Sequence, residues 1–354
     1  MRQIGIAMLL GGVILAAPAQ QGHTDVEPRG RTIHPHAIAF NPANRTFYAV
    51  DQNDNRVVAV DIAGKQSTID VGRQPNAIAI DPGTNRIYVV NAGSGNVSVI
   101  DGSHNHVIST VPTDTRPYAI GIDAGLHRAY VSNTFSDKVT VIEGATNMAT
   151  QLPLGWKDFV ETDARLHLAF FISYEDRALT VLNAAQKSRR VDLGLSHPWG
   201  LAVDEQRGIV YITEIGEDTL VAYHEDSGKS ETAHTGAMPD AVAVDESTNR
   251  VYVANYVGGS VTVFDGATLK AIATVATGHH PQALALDGRR HRVLVANTHS
   301  DNVTVIDGAS NRVVATVPAG RNPYAVAVDP ESGQVYVANY GSQPLTKLDF
   351  STPH

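Results

Sequence analysis

Hydrophobic and polar positions alternate along most of this chain. "PNAIAID" (Pro75–Asp81), "RIYVVN" (Arg86–Asn91) and "NVSVID" (Asn96–Asp101) are typical: Val, Ile, Ala and Tyr recur between Gly, Asn, Asp and Pro. β-Branched and aromatic residues at period two, bounded by turn formers, predict short strands. No segment beyond the N-terminal stretch has a helical period.

The strand pattern repeats. The residue that opens the second strand of each unit falls at Tyr48, Tyr88, Tyr130, Phe170, Tyr211, Tyr252, Leu294 and Tyr336, at intervals of 40, 42, 40, 41, 41, 42 and 42 residues. Each unit runs through a Pro and an Ala-alternating strand, a polar turn, a "YVAN"-type strand, a second turn, a "VTVID"-type strand and a "RVVATV"-type strand. Four strands in about 40 residues predict a propeller blade. Alternating Ala in the first strand suits a crowded centre. A solenoid of such units would need end caps. The last unit supplies three strands before His354, and "HTDVEPRGRTIHP" (23–35) offers a fourth, which would close the ring without a free edge. The expected fold is all-β: a β-propeller of eight four-stranded blades, or seven if an end unit packs irregularly, closed by an N-terminal strand that completes the last blade.

The N-terminus changes the expected location. Arg2, the apolar run Ile4–Ala17 and Ala17-Pro18-Ala19 have the three parts of a secretory signal. The run is shorter than the ~20 residues that span a bilayer. The expected organisation is a signal peptide over 1–19, an N-terminal segment with the closing strand over 20–34 and a propeller over 35–354. The expected location is periplasmic or secreted, with no integral membrane segment after cleavage. The chain has no cysteine, hence no disulfide, thiolate metal site or lipoprotein cysteine. A net charge of -9 without a long basic run argues against nucleic acid as the main partner.

The motif Y-V-x-N, as in Tyr88–Asn91, Tyr252–Asn255 and Tyr336–Asn339, followed by V-[TS]-V-I-D-G, resembles the YVTN (YncE-like) β-propeller repeat family. The resemblance covers residues 35–354 and is weakest at "FFIS" (Phe170–Ser173) and "YITE" (Tyr211–Glu214). It implies the propeller fold and says little about activity.

Equivalent positions that differ between repeats are the candidate site. Before the inner-strand Pro stand His34, Gln74, Arg116, Trp156, His197, Met238, His280 and Asn322; after it stand His36, Asn76, Tyr118, Asp158, Trp199, Asp240, Gln282 and Tyr324. Lys157 replaces the Pro in the fourth repeat. Variable loop side chains on a constant scaffold, at the mouth of a channel, suit ligand binding. The ligand-binding candidates are His34, His36, Arg116, Tyr118, Asp158, Trp199, Asp240 and Tyr324. Mixed aromatic and polar groups favour a small molecule, glycan or peptide or protein partner. No cofactor is predicted for this binding role.

The alternative is a metal-dependent or acid–base enzyme of oxidoreductase, lactonase or lyase type. His34, His197 and His280 occupy equivalent places and suit copper or zinc. His197 and Glu214 form a carboxylate–imidazole grouping within one repeat, the candidate catalytic pair. His104, His106, His127, His167 and His291 are expected as solvated turn residues on the opposite face. Arg86, Arg128, Arg250 and Arg292 are expected to pair with Asp across their own hairpins, and the Asn of each motif to serve the turn that follows it.

Overall fold

The computed structural model describes residues 37–340 and 344–350, which lie in one compact unit, Ile33–His354. Eight antiparallel sheets follow one another along the chain, each ordered consecutively from inner to outer strand. Blades 1 to 7 have four strands, over 38–70, 75–112, 117–152, 159–192, 198–234, 239–276 and 281–318. Blade 8 contributes Pro323–Val328, Val335–Asn339 and Leu345–Lys347 among the described residues. The fold is the expected all-β propeller with eight blades. The signal segment and the N-terminal closing strand lie outside the described residues.

The ring closes through blade 8 on blade 1. Phe47 packs on Tyr336 with ring centroids 4.6 Å apart, and Tyr324, Ala325 and Ala338 join one apolar cluster with Ala37, Tyr48, Ile78 and Ile87. On the rim Arg45 Nη2 bonds Asp329 Oδ2 at 2.9 Å and Gln334 donates to the Ile62 carbonyl at 3.1 Å. No helix among the described residues is long and apolar enough to cross a membrane.

The repeated motif explains how blades hold one another. The motif Tyr is fully buried, and its hydroxyl reaches the outer turn of the next blade. Tyr48 donates to Asn105 Oδ1 at 2.6 Å, and the Tyr211 hydroxyl lies 3.5 Å from the Gly266 carbonyl. Burying each such ring contributes about 1.5–3 kcal/mol. The Arg before the motif bridges to the next blade in three of four cases: Arg86 donates to Asn147, Arg128 to the Ala184 carbonyl and Arg250 to Asn311. Arg128 also pairs with an acid across its own hairpin, Glu143 at 2.8 Å, and Arg292 pairs with its hairpin Asp287 at 2.6 Å. Distance around the ring, invisible in linear spacing, decides the partner.

His127 and His167 are likewise bonded, not merely solvated. Their Nδ1 atoms lie 2.8 and 3.0 Å from Asp81 and Asp123, buried carboxylates of the preceding blade.

The motif Asn serves more than its turn. Asn255 Nδ2 donates to Ser260 and Thr262 of the third strand, while its Oδ1 accepts from Gly236 N at 2.9 Å, in the loop that enters the blade. That loop residue must be Gly: a Cβ at Gly236 would stand 2.7 Å from Asn255, and the equivalents Gly72, Gly278 and Gly320 would meet Asn91, Asn297 and Asn339 as closely. Gly236→Ala is expected to destabilise by about 1–3 kcal/mol through this overpacking. Gly288→Ala, where a Cβ meets nothing within 4 Å, is expected to be near neutral. Thermal unfolding of the two variants checks the pair; equal melting temperatures would remove the loop contact from the account.

Candidate functional site

The loop before each inner strand and the turn after each second strand share one face, and backbone bonds clip them together. Gln74, Arg116, His197, Met238, His280 and Asn322 all have left-handed φ, between 49° and 58°. Their carbonyls accept from Ala92, Thr134, Ile215, Tyr256, Thr298 and Tyr340, the residues that follow the second strands. Non-glycine residues rarely adopt this conformation, and surrounding structure must impose it. The variable side chains are therefore presented on a rigid frame.

One residue further on, the inner strand breaks register. In blades 2, 3 and 5 to 8 the pairing shifts just after the Pro, so Asn76, Tyr118, Trp199, Asp240, Gln282 and Tyr324 fall in bulged stretches. A bulge re-aims its side chain out of the regular pleat. Blade 4, with Lys157 in place of Pro, pairs Phe159 to Asp163 without a shift. Lys157 is buried and bonds Asp176 Oδ2 at 3.0 Å.

Blade 4 also breaks the rule of small residues. The third place of the inner strand holds Ala37, Ala77, Ala119, Gly200, Ala241, Ala283 and Ala325 in the other blades, and Phe159 here; the fifth holds Ala39, Ala79, Gly121, Ala202, Ala243, Ala285 and Ala327, and Glu161 here. These places face the next blade: a Cβ on Gly121 would stand 3.2 Å from Thr162. Phe159 and Glu161 accordingly meet blade 5. With Trp199, Leu201, Asp240, Val242 and Leu284 they line a partly open cavity of about 70 Å³, onto which two carboxyls face.

Aromatic rings build the wall above it. Phe159 lies 5.2 Å from Trp199 and 5.7 Å from Tyr118, both edge to face, and Tyr174 lies 6.1 Å from Trp199. Such pairs set ring positions at little entropic cost. Burial pushes the Glu161 carboxyl up to about 8. Burial also lifts Asp240 to about 7, against a hydrogen bond with Trp199 that pulls it down. Burial, with Asp158, Asp240 and Tyr340 nearby, pushes the Tyr118 phenol well above its ordinary range.

Of the residues singled out from sequence, Tyr118, Trp199 and Asp240 come together here. Asp158 is adjacent but committed: its carboxylate accepts from Trp156 Nε1 at 2.6 Å and from Tyr174 N at 2.9 Å. Arg116 sits on the outer rim over Phe135, 5.3 Å from the ring centroid. Tyr324 is buried against Tyr340, 4.6 Å between centroids. His34 and His36 lie outside the described residues. Phe159 and Glu161 were missed by reading only the loop positions, although their departure from Ala and Gly in seven sister strands is a plain signal.

The proposed catalytic pair separates in role. Glu214 replaces the motif Asn and does its work: one oxygen accepts from Ser196 N and the other from Thr219 Oγ1. His197 stands exposed, its ring tilted 40° to that of Tyr174 with centroids 4.6 Å apart. His280 lies flat on Tyr256 at 4.4 Å and turns its Nδ1 to that of His299. Among the described residues His197 and His280 are not in one group of three ligating side chains.

No curated protein matches this chain. Solved structures match its fold. A dihydro-heme d1 dehydrogenase, NirN, in complex with DHE superposes with a TM-score of 0.72 at 12% identity, covering 90% of this chain and 74% of that one. A functionally unknown protein from Desulfotomaculum acetoxidans DSM 771 gives 0.64 at 13% identity over 78% of this chain and 98% of that one. Kuenenia stuttgartiensis hydrazine synthase gives 0.60 at 19% identity over 93% and 99%. At these identities the likeness is one of fold. The model of the YNCE-like beta-propeller family matches residues 229–349, which hold the outer strand of blade 5 and blades 6 to 8. That match lies inside a closed ring of eight antiparallel sheets: the chain is a β-propeller, and over residues 229–349 it is similar to the YNCE-like beta-propeller family.

Proposed function

We propose that this protein is an exported, non-catalytic propeller that binds a small organic molecule through a cationic nitrogen at the channel mouth. The observation that supports this most is the replacement of two small inner-strand residues by Phe159 and Glu161, facing Trp199 and Asp240 across one cavity. Two carboxyls on one cavity suit an ammonium or guanidinium group. The faces and edges of Trp199, Phe159 and Tyr118 suit its apolar remainder, and an aromatic face attracts a cation by about 0.5–2 kcal/mol. A cavity of about 70 Å³ takes the head group, leaving the rest of the ligand on the aromatic rim. Export rests on the signal-like N-terminus.

A second reading has its own observation. Two carboxyls lifted to about 8 and about 7 face one cavity, which is how a general acid and a general base are set near neutral pH. In that reading Glu161 gives a proton and Asp240 takes one, in place of His197 and Glu214. The dehydrogenase, the hydrazine synthase and a streptogramin B lyase with a TM-score of 0.60 at 10% identity share only the fold with this chain, so none lends it a reaction.

Titration calorimetry with a panel of alkyl and arylalkyl amines, cationic throughout pH 6 to 9, tests the binding reading. Some member should bind, its affinity should rise between pH 6 and 9 as the two carboxyls ionise, and Glu161→Gln or Trp199→Ala should weaken it at least tenfold. Affinity that ignores pH and both substitutions would refute it. Turnover lost in Asp240→Asn, with binding retained, would favour the enzyme.

The same carboxyl shapes stability. Because Glu161 titrates higher folded than its ordinary 4.5, the unfolded chain ionises first, and stability falls as pH rises from about 4.5 to about 8. Glu161→Gln should match the wild type at pH 4 and exceed it by about 1–3 kcal/mol at pH 9, measured by denaturant unfolding. An unchanged difference across that range would mean that Glu161 is not held neutral by burial.

A further inference from the structure

The strongest unassigned chemistry lies on the opposite face, in the outer turn of blade 2. Asp101, His104 and His106 each offer one ligand atom, and these atoms all lie within 4.8 Å of one another; no other group of three such residues occurs among the described residues. We propose that this turn is a binding site for a late first-row divalent metal, of which zinc is the best fit.

The turn is already held in shape. Asp101 and His106 are register partners at the mouth of the hairpin, and Asn105 closes it with φ 54° and a bond from its N to the Asp101 carbonyl at 2.8 Å. Ser103 N donates to Asp101 Oδ1 at 2.9 Å, and His104 Nδ1 lies 2.7 Å from Asp101 Oδ2. Blade 1 grips the same turn from outside, through Tyr48 on Asn105 and Asn44 on the Gly102 carbonyl. Ligands on a braced turn lose little freedom when a metal binds. Tetrahedral zinc, with ligands at about 2.0 Å, needs donor atoms about 3.3 Å apart, a small side-chain adjustment from the present spacing.

Sister turns show what is special here. In "DGATLK" (265–270) and "DGASNR" (307–312) the place of His104 is Thr268 or Ser310, whose hydroxyl bonds the turn Asp, and the place of His106 is Lys270 or Arg312. A hydroxyl and a fixed cation serve the hairpin and cannot hold a metal. Exchanging both for imidazole keeps the Asp contact and adds two neutral nitrogen donors, the ligand type that suits zinc, copper and nickel. His104 and His106 are exposed, so the ion can reach them and water can fill the remaining positions. Three protein ligands plus water is an established zinc arrangement.

Calorimetry of chelator-stripped, untagged protein with zinc chloride at pH 7.5 tests the assignment. One equivalent should bind with a micromolar dissociation constant, and His104→Thr with His106→Lys, which restores the sister-turn residues and so preserves folding, should weaken that event at least tenfold. His280→Thr with His299→Ser should leave it unchanged. No binding at 100 µM zinc, or a stoichiometric event that survives the blade 2 substitutions, would overturn the proposal. In spectra of histidine side-chain nitrogens, zinc should shift His104 and His106 together; movement of other histidines alone would also refute it.

Discussion

Everything in this molecule follows from the close approach of eight inner strands around one axis. Where a strand faces its neighbour near that axis there is room for Ala or Gly, as at Ala77, Ala119 and Gly121, and the next blade's Ile or Val fills the space. Seven blades obey this limit. Blade 4 does not: it lacks the Pro, keeps its pairing in register and admits Phe159 and Glu161. A bulky ring and a carboxyl at the most crowded radius of the fold push the regular packing aside, and the cavity opens at that place.

The rest of the ring works to keep that exception local. Tyr48, Tyr88, Tyr211 and Tyr252 reach the next blade's outer turn, and Arg86, Arg128 and Arg250 do the same at the rim. His127 and His167 bond back to buried Asp81 and Asp123. On the other face the Asn–Gly contact ties the second strand to the loop that enters its blade in blades 2, 6, 7 and 8. Neighbouring blades are thus clamped above and below their apolar contact. A closed ring with two sets of clamps can hold a half-buried carboxyl such as Glu161 in its cavity, because no single blade can swing away from it.

The two faces of the ring carry different chemistry for a simple reason. On the mouth face, bulges and left-handed residues re-aim side chains toward the axis, so aromatic rings and Asp240 gather over the lumen. On the opposite face the turns are four-residue hairpins whose Asp and hydroxyl groups bond locally, as in Asp265 with Thr268. Blade 2 alone among these turns exchanges its hydroxyl and cation for His104 and His106.

Much of this was legible in the sequence. Period-two alternation and a spacing of 40 to 42 residues determine strands, blades and their number, because both depend on local geometry that every repeat shares. Comparing repeats also singled out Tyr118, Trp199 and Asp240, since position within the blade fixes which way a residue faces. What repeat position does not contain is distance across the ring. It assigned Arg86 and Arg250 to their own hairpins, and it joined His197 to Glu214, whose oxygens instead hold Ser196 and Thr219. Only the closed tertiary structure decided those partners, and only it set Glu161 against Trp199 and Asp240. The ionisation of a half-buried carboxyl depends on what surrounds it in space, and residues of four blades line the cavity that Glu161 faces.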